Sequence, residues 1–108
     1  MVPRVVLTKW GVIFELFMPK RLECLIFGRV QLVMFRDFAQ RKARSLGLVG
    51  TVKNLPGGSV LAIAEGEEEK LNQWLEHLKK GPIIAEVERV ETKWPEATGE
   101  FKDFKIIY

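Results

Sequence analysis

The sequence predicts an α+β fold: a ferredoxin-like (split βαβ) two-layer sandwich in the order β-α-β-β-α-β, with an antiparallel sheet and a short C-terminal edge strand. Three observations predict it. Two segments repeat apolar residues at helical spacing, Phe35-Phe38-Ala39-Ala43-Leu46 and Leu71-Trp74-Leu75-Leu78, so each forms a helix with one face to bury. Between them, Leu48 to Lys53 and Ser59 to Glu65 are apolar runs joined by Leu55-Pro56-Gly57-Gly58, a hairpin with glycine available for positive φ. A strand-like run flanks the helices on the outside, Arg21 to Val30 before the first and Ile83 to Glu91 after the second. That order packs both helices on one face of a sheet.

Along the chain, residues 1–17 read as an N-terminal extension. Their apolar run is broken by Lys9, Gly11 and Glu15, too short and too charged for the roughly 20 apolar residues of a membrane span. No small-x-small site follows, which argues against a signal peptide. Val12 to Phe17 reads as an added strand that pairs with an exposed sheet edge, or else Met18 is the natural start. Arg21 to Val30 is the first core strand, with Cys24 a strand residue without chemistry. A helix over Val33 to Leu46 follows, stopped by Gly47, and its Arg41, Lys42 and Arg44 form a solvated face. After the hairpin, Glu67 to Lys80 is the second helix. Glu67, Glu68 and Glu69 in its first turn and Lys79 and Lys80 in its last complement the macrodipole, and His77 is a solvated surface residue. Gly81-Pro82 ends it. Ile83 to Glu91 alternates as a strand, and a polar stretch from Thr92 to Glu100 leads to Phe101, Phe104, Ile106 and Tyr108, the edge strand. Trp94 either packs on the sheet or stands at the rim of a site.

Composition bounds the function. A 108-residue chain with 47% hydrophobic and 29% charged residues fits one small domain with a single core. The net charge of +3, from 17 basic and 14 acidic side chains, steers anions in general without implying nucleic acid. A single cysteine excludes an intrachain disulfide and a Cys-rich zinc site, and suits a reducing cytoplasm.

The stretch Ile26 to Arg36 carries the strongest chemical signal. The strand Leu25-Ile26-Phe27 breaks at Gly28, Arg29 follows, and Arg36 stands where the first helix begins. A strand, a glycine, a tight loop and a helix N-terminus converge backbone N–H groups with the positive end of a helix dipole, which makes an anion site. A second stretch, Gly50 to Gly66, places Asn54 at the end of a strand before the Pro56-Gly57-Gly58 turn. Taken singly, Arg36 also fits a surface ion-pair residue, and Asn54 a turn initiator.

Together the two stretches resemble the acylphosphatase family, whose signatures are G-x-V-Q-G-V-x-F-R and N-x-x-x-G-x-V-x-x-x-x-x-G. Gly28, Val30, Gln31, Val33, Phe35 and Arg36 match the first, and Asn54, Gly58, Val60 and Gly66 the second. The resemblance runs from about Met18 to Tyr108 and includes Gly81-Pro82 and the ending G-E-F-K-D-F-K-I-I-Y, so residues 18–108 read as an acylphosphatase-like domain. It implies the same sandwich and hydrolysis of the carboxyl-phosphate bond of small acyl phosphates. By resemblance, Arg36 binds the phosphate and Asn54 orients the attacking water. The loop of Gly28, Arg29, Val30, Gln31, Leu32, Val33, Met34 and Phe35 would cradle the phosphoryl oxygens. No metal and no other cofactor is expected. The expected partners are a small acyl phosphate or inorganic phosphate, with no nucleic acid and no membrane, for a cytoplasmic monomer.

That chemistry suits the residues present. An acyl phosphate already carries a good leaving group, so positioning and charge stabilisation suffice. No constellation of His, Cys and carboxylates suggests a covalent mechanism. Two departures lie in the cradle: Leu32 stands where the family has glycine, and Met34 fills the variable slot. If that position needs positive φ, leucine costs roughly 1 to 2 kcal/mol, about tenfold in rate were all of it lost from the transition state. Thr51 replaces the aromatic residue that usually follows Gly50. A catalytically weak or silent acylphosphatase-like module that binds an anion or a protein is the alternative, with Leu32, Met34 and the N-terminal extension as its contact surface. A nucleic-acid-binding sandwich is a third reading, but the aromatic signature of such readers is absent.

Overall fold

A computed structural model describes residues 19–108, together with the backbone of two earlier strands, β1 (Arg4–Thr8) and β2 (Gly11–Glu15). These two pair with each other, antiparallel, as a two-stranded sheet. The strand expected at the edge of the main sheet, as far as Val12 to Glu15 is described, therefore pairs with a strand nearby in sequence instead. The part of that expectation resting on residues 16–18, including a start at Met18, lies outside the described residues.

The main sheet is built from β3 (Lys20–Arg29), β4 (Val49–Asn54), β5 (Val60–Gly66), β6 (Glu86–Lys93) and β7 (Phe104–Ile107), in the order β6-β3-β5-β4-β7. Helices α1 (Phe35–Ser45) and α2 (Glu68–Lys80) connect β3 to β4 and β5 to β6. This is the ferredoxin-like arrangement expected. Alternation along the strands turns Leu22, Cys24 and Ile26 of β3, Val52 of β4, Val60, Ala62 and Ala64 of β5 and Phe104 of β7 into one buried layer. Phe35, Ala39 and Ala43 of α1 and Leu71, Trp74 and Leu78 of α2 complete the core. Trp74 lies edge-on to Phe104 at 5.7 Å, and its indole N–H donates to Ala39 O at 3.1 Å, tying the helices together. Burial pushes the Cys24 thiol up to about 12, which keeps it protonated and unreactive.

Three sequence expectations need correction. The sheet is mixed: β7 runs parallel to β4, pairing Gly50 with Phe104 through Lys53 with Ile107. The reason is the route of the chain. β6 occupies one edge and β7 the other, so the segment between them crosses the sheet at the end where β5 finishes, and β7 then returns in the direction of β4. Second, the strand expected from Ile83 begins at Glu86, because Gly81 (φ 68) and Pro82 turn the chain and Ala85 N–H donates to Pro82 O at 3.0 Å. Ile83 and Ile84 stay exposed in that turn. Third, the first helix starts at Phe35 rather than Val33, since Met34 is left-handed.

The crossing segment is held by one carboxylate. Glu65 is 2% exposed on the sheet face away from the helices. It accepts hydrogen bonds from Thr98 N–H at 2.9 Å, Gly99 N–H at 3.0 Å and the Arg21 guanidinium at 2.9 Å. Arg21 also reaches Glu23 and Glu100, each at 3.0 Å. Burial alone would raise the Glu65 carboxyl, but the Thr98, Arg21 and Gly99 donors outweigh it and hold it below the usual glutamate range. A carboxyl depressed by folding stabilises the fold in full above its unfolded value of about 4.3, and that contribution is lost as pH falls through the lower folded value. Glu65→Gln is therefore expected to cost about 2 kcal/mol at neutral pH, measured by urea unfolding. Its stability should also fall less steeply than the wild type's below about pH 4; parallel pH profiles would remove Glu65 as the anchor.

Candidate active site

The site forms where β3, β4, β7 and the start of α1 reach the same end of the sheet. After Arg29 the chain bends through Gln31 to Met34, and among the described residues Leu32 (φ 59) and Met34 (φ 61) are the non-glycine residues with positive φ. Val30 and Val33 turn inward and are buried, whereas Leu32 and Met34 turn outward and are 95% and 67% exposed. The core thus anchors the loop by alternate side chains. Such kinked backbone gathers N–H groups into an anion-binding concavity. The first N–H groups of α1 lack intrahelical acceptors, and no side chain caps them. The positive end of the helix is thereby left available to an anion.

These groups border a pocket of about 120 Å³ lined by Val30, Leu32, Met34, Phe35, Arg36, Asp37, Asn54, Ile106 and Tyr108. Arg36 and Asn54, 18 positions apart in sequence, share it. Among the described residues Arg36 makes no ion pair; its guanidinium carbon sits 4.9 Å from the centre of the Tyr108 ring. Asn54 closes β4, and its Oδ1 is buried without a hydrogen-bond partner. A buried amide oxygen left unpaired costs on the order of 1 to 3 kcal/mol, so this acceptor is held ready at a cost in stability. Gln31 fixes the cradle to the hairpin: its Nε2 donates to Leu55 O and Ser59 O, both at 2.8 Å.

Of the cradle residues expected from sequence, Val30, Leu32, Met34, Phe35, Arg36 and Asn54 line the pocket, and Gly28, Arg29, Gln31 and Val33 do not. Arg29 points toward β6 and approaches Glu86 at 3.5 Å. Gly28 (φ 132) sits at a register shift, where a Cβ would lie 2.1 Å from Glu86 O, so glycine there allows β6 to approach. Val33 belongs to the core. Trp94 lies with Pro19, Lys20, Arg21 and Glu68 beside the start of β3, at the end of the sheet opposite the site, so it is no rim residue. Ile106, Tyr108 and Asp37 were not foreseen. Asp37 stands in the first turn of α1, its charge met by Arg41 at 2.8 Å. Tyr108 arrives only through the parallel pairing of β7.

The glycine-like backbone at Leu32 is real, and its side chain is solvent-exposed rather than folded into the cradle. Leu32→Gly relieves a left-handed leucine and loses almost no burial. A gain of about 0.5 to 1 kcal/mol is expected in urea unfolding; a loss would mean that Leu32 packs on its neighbours.

Known proteins share this architecture. Residues 22–106 match the acylphosphatase family model. An acylphosphatase of Thermus thermophilus is 53% identical over 86 residues, covering 80% of this chain and 97% of that protein. One from Dehalococcoides mccartyi is 45% identical, covering 79% and 94%. The crystal structure of acylphosphatase from Bacillus subtilis superposes with a TM-score of 0.80 at 32% identity, over 82% of this chain and 99% of that one. With a match across the whole sandwich, both signature stretches included, the chain belongs to the acylphosphatase family.

Proposed function

We propose that this protein hydrolyses small acyl phosphates, with Arg36 and the backbone of the loop from Val30 to Phe35 holding the phosphoryl group and Asn54 orienting the attacking water. The observation that carries the reading is the buried, unpartnered Asn54 Oδ1 in the pocket of Arg36 and the uncapped start of α1. The phosphoryl oxygens would accept hydrogen bonds from the helix N–H groups and from the guanidinium fork, a charge-assisted and planar match. Asn54 Oδ1 accepts a hydrogen bond from the water and so aims the water oxygen's lone pair at phosphorus. An amide is too weak a base to remove the water's proton outright. As the new P–O bond forms, the bond to the acyl oxygen breaks and the carboxylate leaves with the electron pair. The water's protons end on phosphate and solvent. Positioning and charge stabilisation carry the rate.

The alternative of a silent binding module takes Leu32, Met34 and the N-terminal extension as its contact surface; Leu32 and Met34 are exposed as it requires, but it leaves the buried, unpartnered Asn54 Oδ1 in the pocket of Arg36 without a use. Acting alone as a cytoplasmic monomer, without metal or nucleic acid, completes the proposal. The test is hydrolysis of benzoyl phosphate in excess EDTA, with the protein's mass in solution measured by light scattering. Turnover by a monomer that survives chelation is expected; a folded protein without turnover would overturn the reading.

A further inference from the structure

The chain carries an anion of its own at the start of α1 and leaves it unused there. Asp37 is the acidic residue of the helix's first turn, three positions after Met34. At that place a carboxylate ordinarily folds back toward the free N–H groups and the positive end of the helix dipole. Here no side chain caps those groups. The carboxylate is turned to Arg41 instead, whose Nε donates to its Oδ2 at 2.8 Å. Asp37 nevertheless lines the pocket together with Arg36.

Two anions thus compete for the same groups, the phosphoryl group of a substrate and the protein's own carboxylate. A phosphate reaches the helix start only while Asp37 is held elsewhere. The pair of Asp37 and Arg41 spans one helical turn with both side chains exposed, so it contributes little to stability. Its consequence lies in where it leaves the carboxylate. We infer that Arg41 is a positioning residue of the phosphate site: by holding Asp37, it keeps the protein's own carboxylate off the start of α1 and leaves that end open to the phosphoryl group. The inference rests on the acylphosphatase reading of the site and adds to it a residue that does not line the pocket. Without Arg41, the carboxylate settles on the helix N–H groups. The fraction of free protein ready to bind then falls, and the apparent affinity for phosphate falls by the same factor. Bound substrate has already displaced the carboxylate, so the loss belongs to KM rather than to kcat.

The experiment is a cycle of Arg41→Gln, Asp37→Ala and the double variant, read by calorimetric titration with inorganic phosphate and by KM and kcat for benzoyl phosphate. Arg41→Gln should weaken phosphate binding and raise KM by about fivefold or more, with kcat within about twofold of wild type. In the Asp37→Ala background, the same change should move affinity and KM by less than about twofold. Arg41→Lys keeps the ion pair and should stay near the wild type. Equal losses in both backgrounds would mean that Arg41 acts on phosphate through its own charge, and would overturn the holding role. Wild-type phosphate affinity in Arg41→Gln overturns it as well, and so does a fall in unfolding temperature that tracks the loss of affinity. Failure of the function is read separately. Phosphate bound without turnover of benzoyl phosphate sinks hydrolysis alone, and a coupled cycle in the calorimeter still supports the role of Arg41. A wild type that binds no phosphate overturns both.

Discussion

Arg36→Gln is expected to lower kcat/KM for acyl phosphate hydrolysis by about 10³-fold or more while the protein stays folded. Removing one preorganised donor from a site of developing negative charge typically costs ~10² to 10³, and arginine supplies a charged fork rather than one neutral donor. The fold has little to lose. Among the described residues the guanidinium makes no ion pair, and its contact is the exposed Tyr108 ring, worth about 0.5 to 1 kcal/mol. Thermal unfolding should therefore move by a few degrees at most, as measured by circular dichroism. Arg36→Lys keeps the charge and loses the planar fork, so it should recover only part of the loss. Turnover within about threefold of wild type in Arg36→Gln, well short of what one lost donor costs, would remove Arg36 from the phosphate site.

Asn54→Ala should reduce kcat by about 10²-fold with KM nearly unchanged, because a residue that orients water acts on the reacting geometry and not on the bound ground state. The same substitution should leave stability intact or raise it by up to about 1 kcal/mol. It deletes the buried oxygen that has no partner in the folded protein, and with it that atom's desolvation penalty. Slower chemistry in a protein at least as stable separates a functional asparagine from a turn-forming one. A turn initiator would show the reverse pattern, a loss of stability with kcat maintained. A rise in KM at constant kcat would instead mean that Asn54 holds substrate without orienting water.

Much of this architecture is legible in the sequence because the forces behind it are local. Helical spacing in Phe35-Ala39-Ala43 and Leu71-Trp74-Leu78, glycine in the Pro56-Gly57-Gly58 turn, and alternation in β3 and β5 each act over a few residues. The nearness of Arg36 and Asn54 follows from element order and from the two signature stretches, since β3 and β4 must both end beside the start of α1. The left-handed backbone at Leu32 meets the condition set by the resemblance, which has glycine at that position of the signature.

The remainder depends on contacts distant in the chain. No local pattern in Phe104-Lys105-Ile106-Ile107 states its direction. Its parallel pairing with β4 depends on where the segment from Trp94 to Asp103 crosses the sheet, and that crossing is anchored to Glu65, 33 positions before Thr98. Alternation marks Glu65 as outward-facing, and only the crossing segment buries it. The turn of Arg29 toward Glu86, and the need for glycine at position 28, likewise come from the approach of β6. The proposed pair of Arg36 and Asn54 is thus written in the sequence, whereas Tyr108 at the mouth of the pocket is placed by tertiary structure. The direction of an edge strand is decided by the path that delivers it, not by the propensities of its own residues.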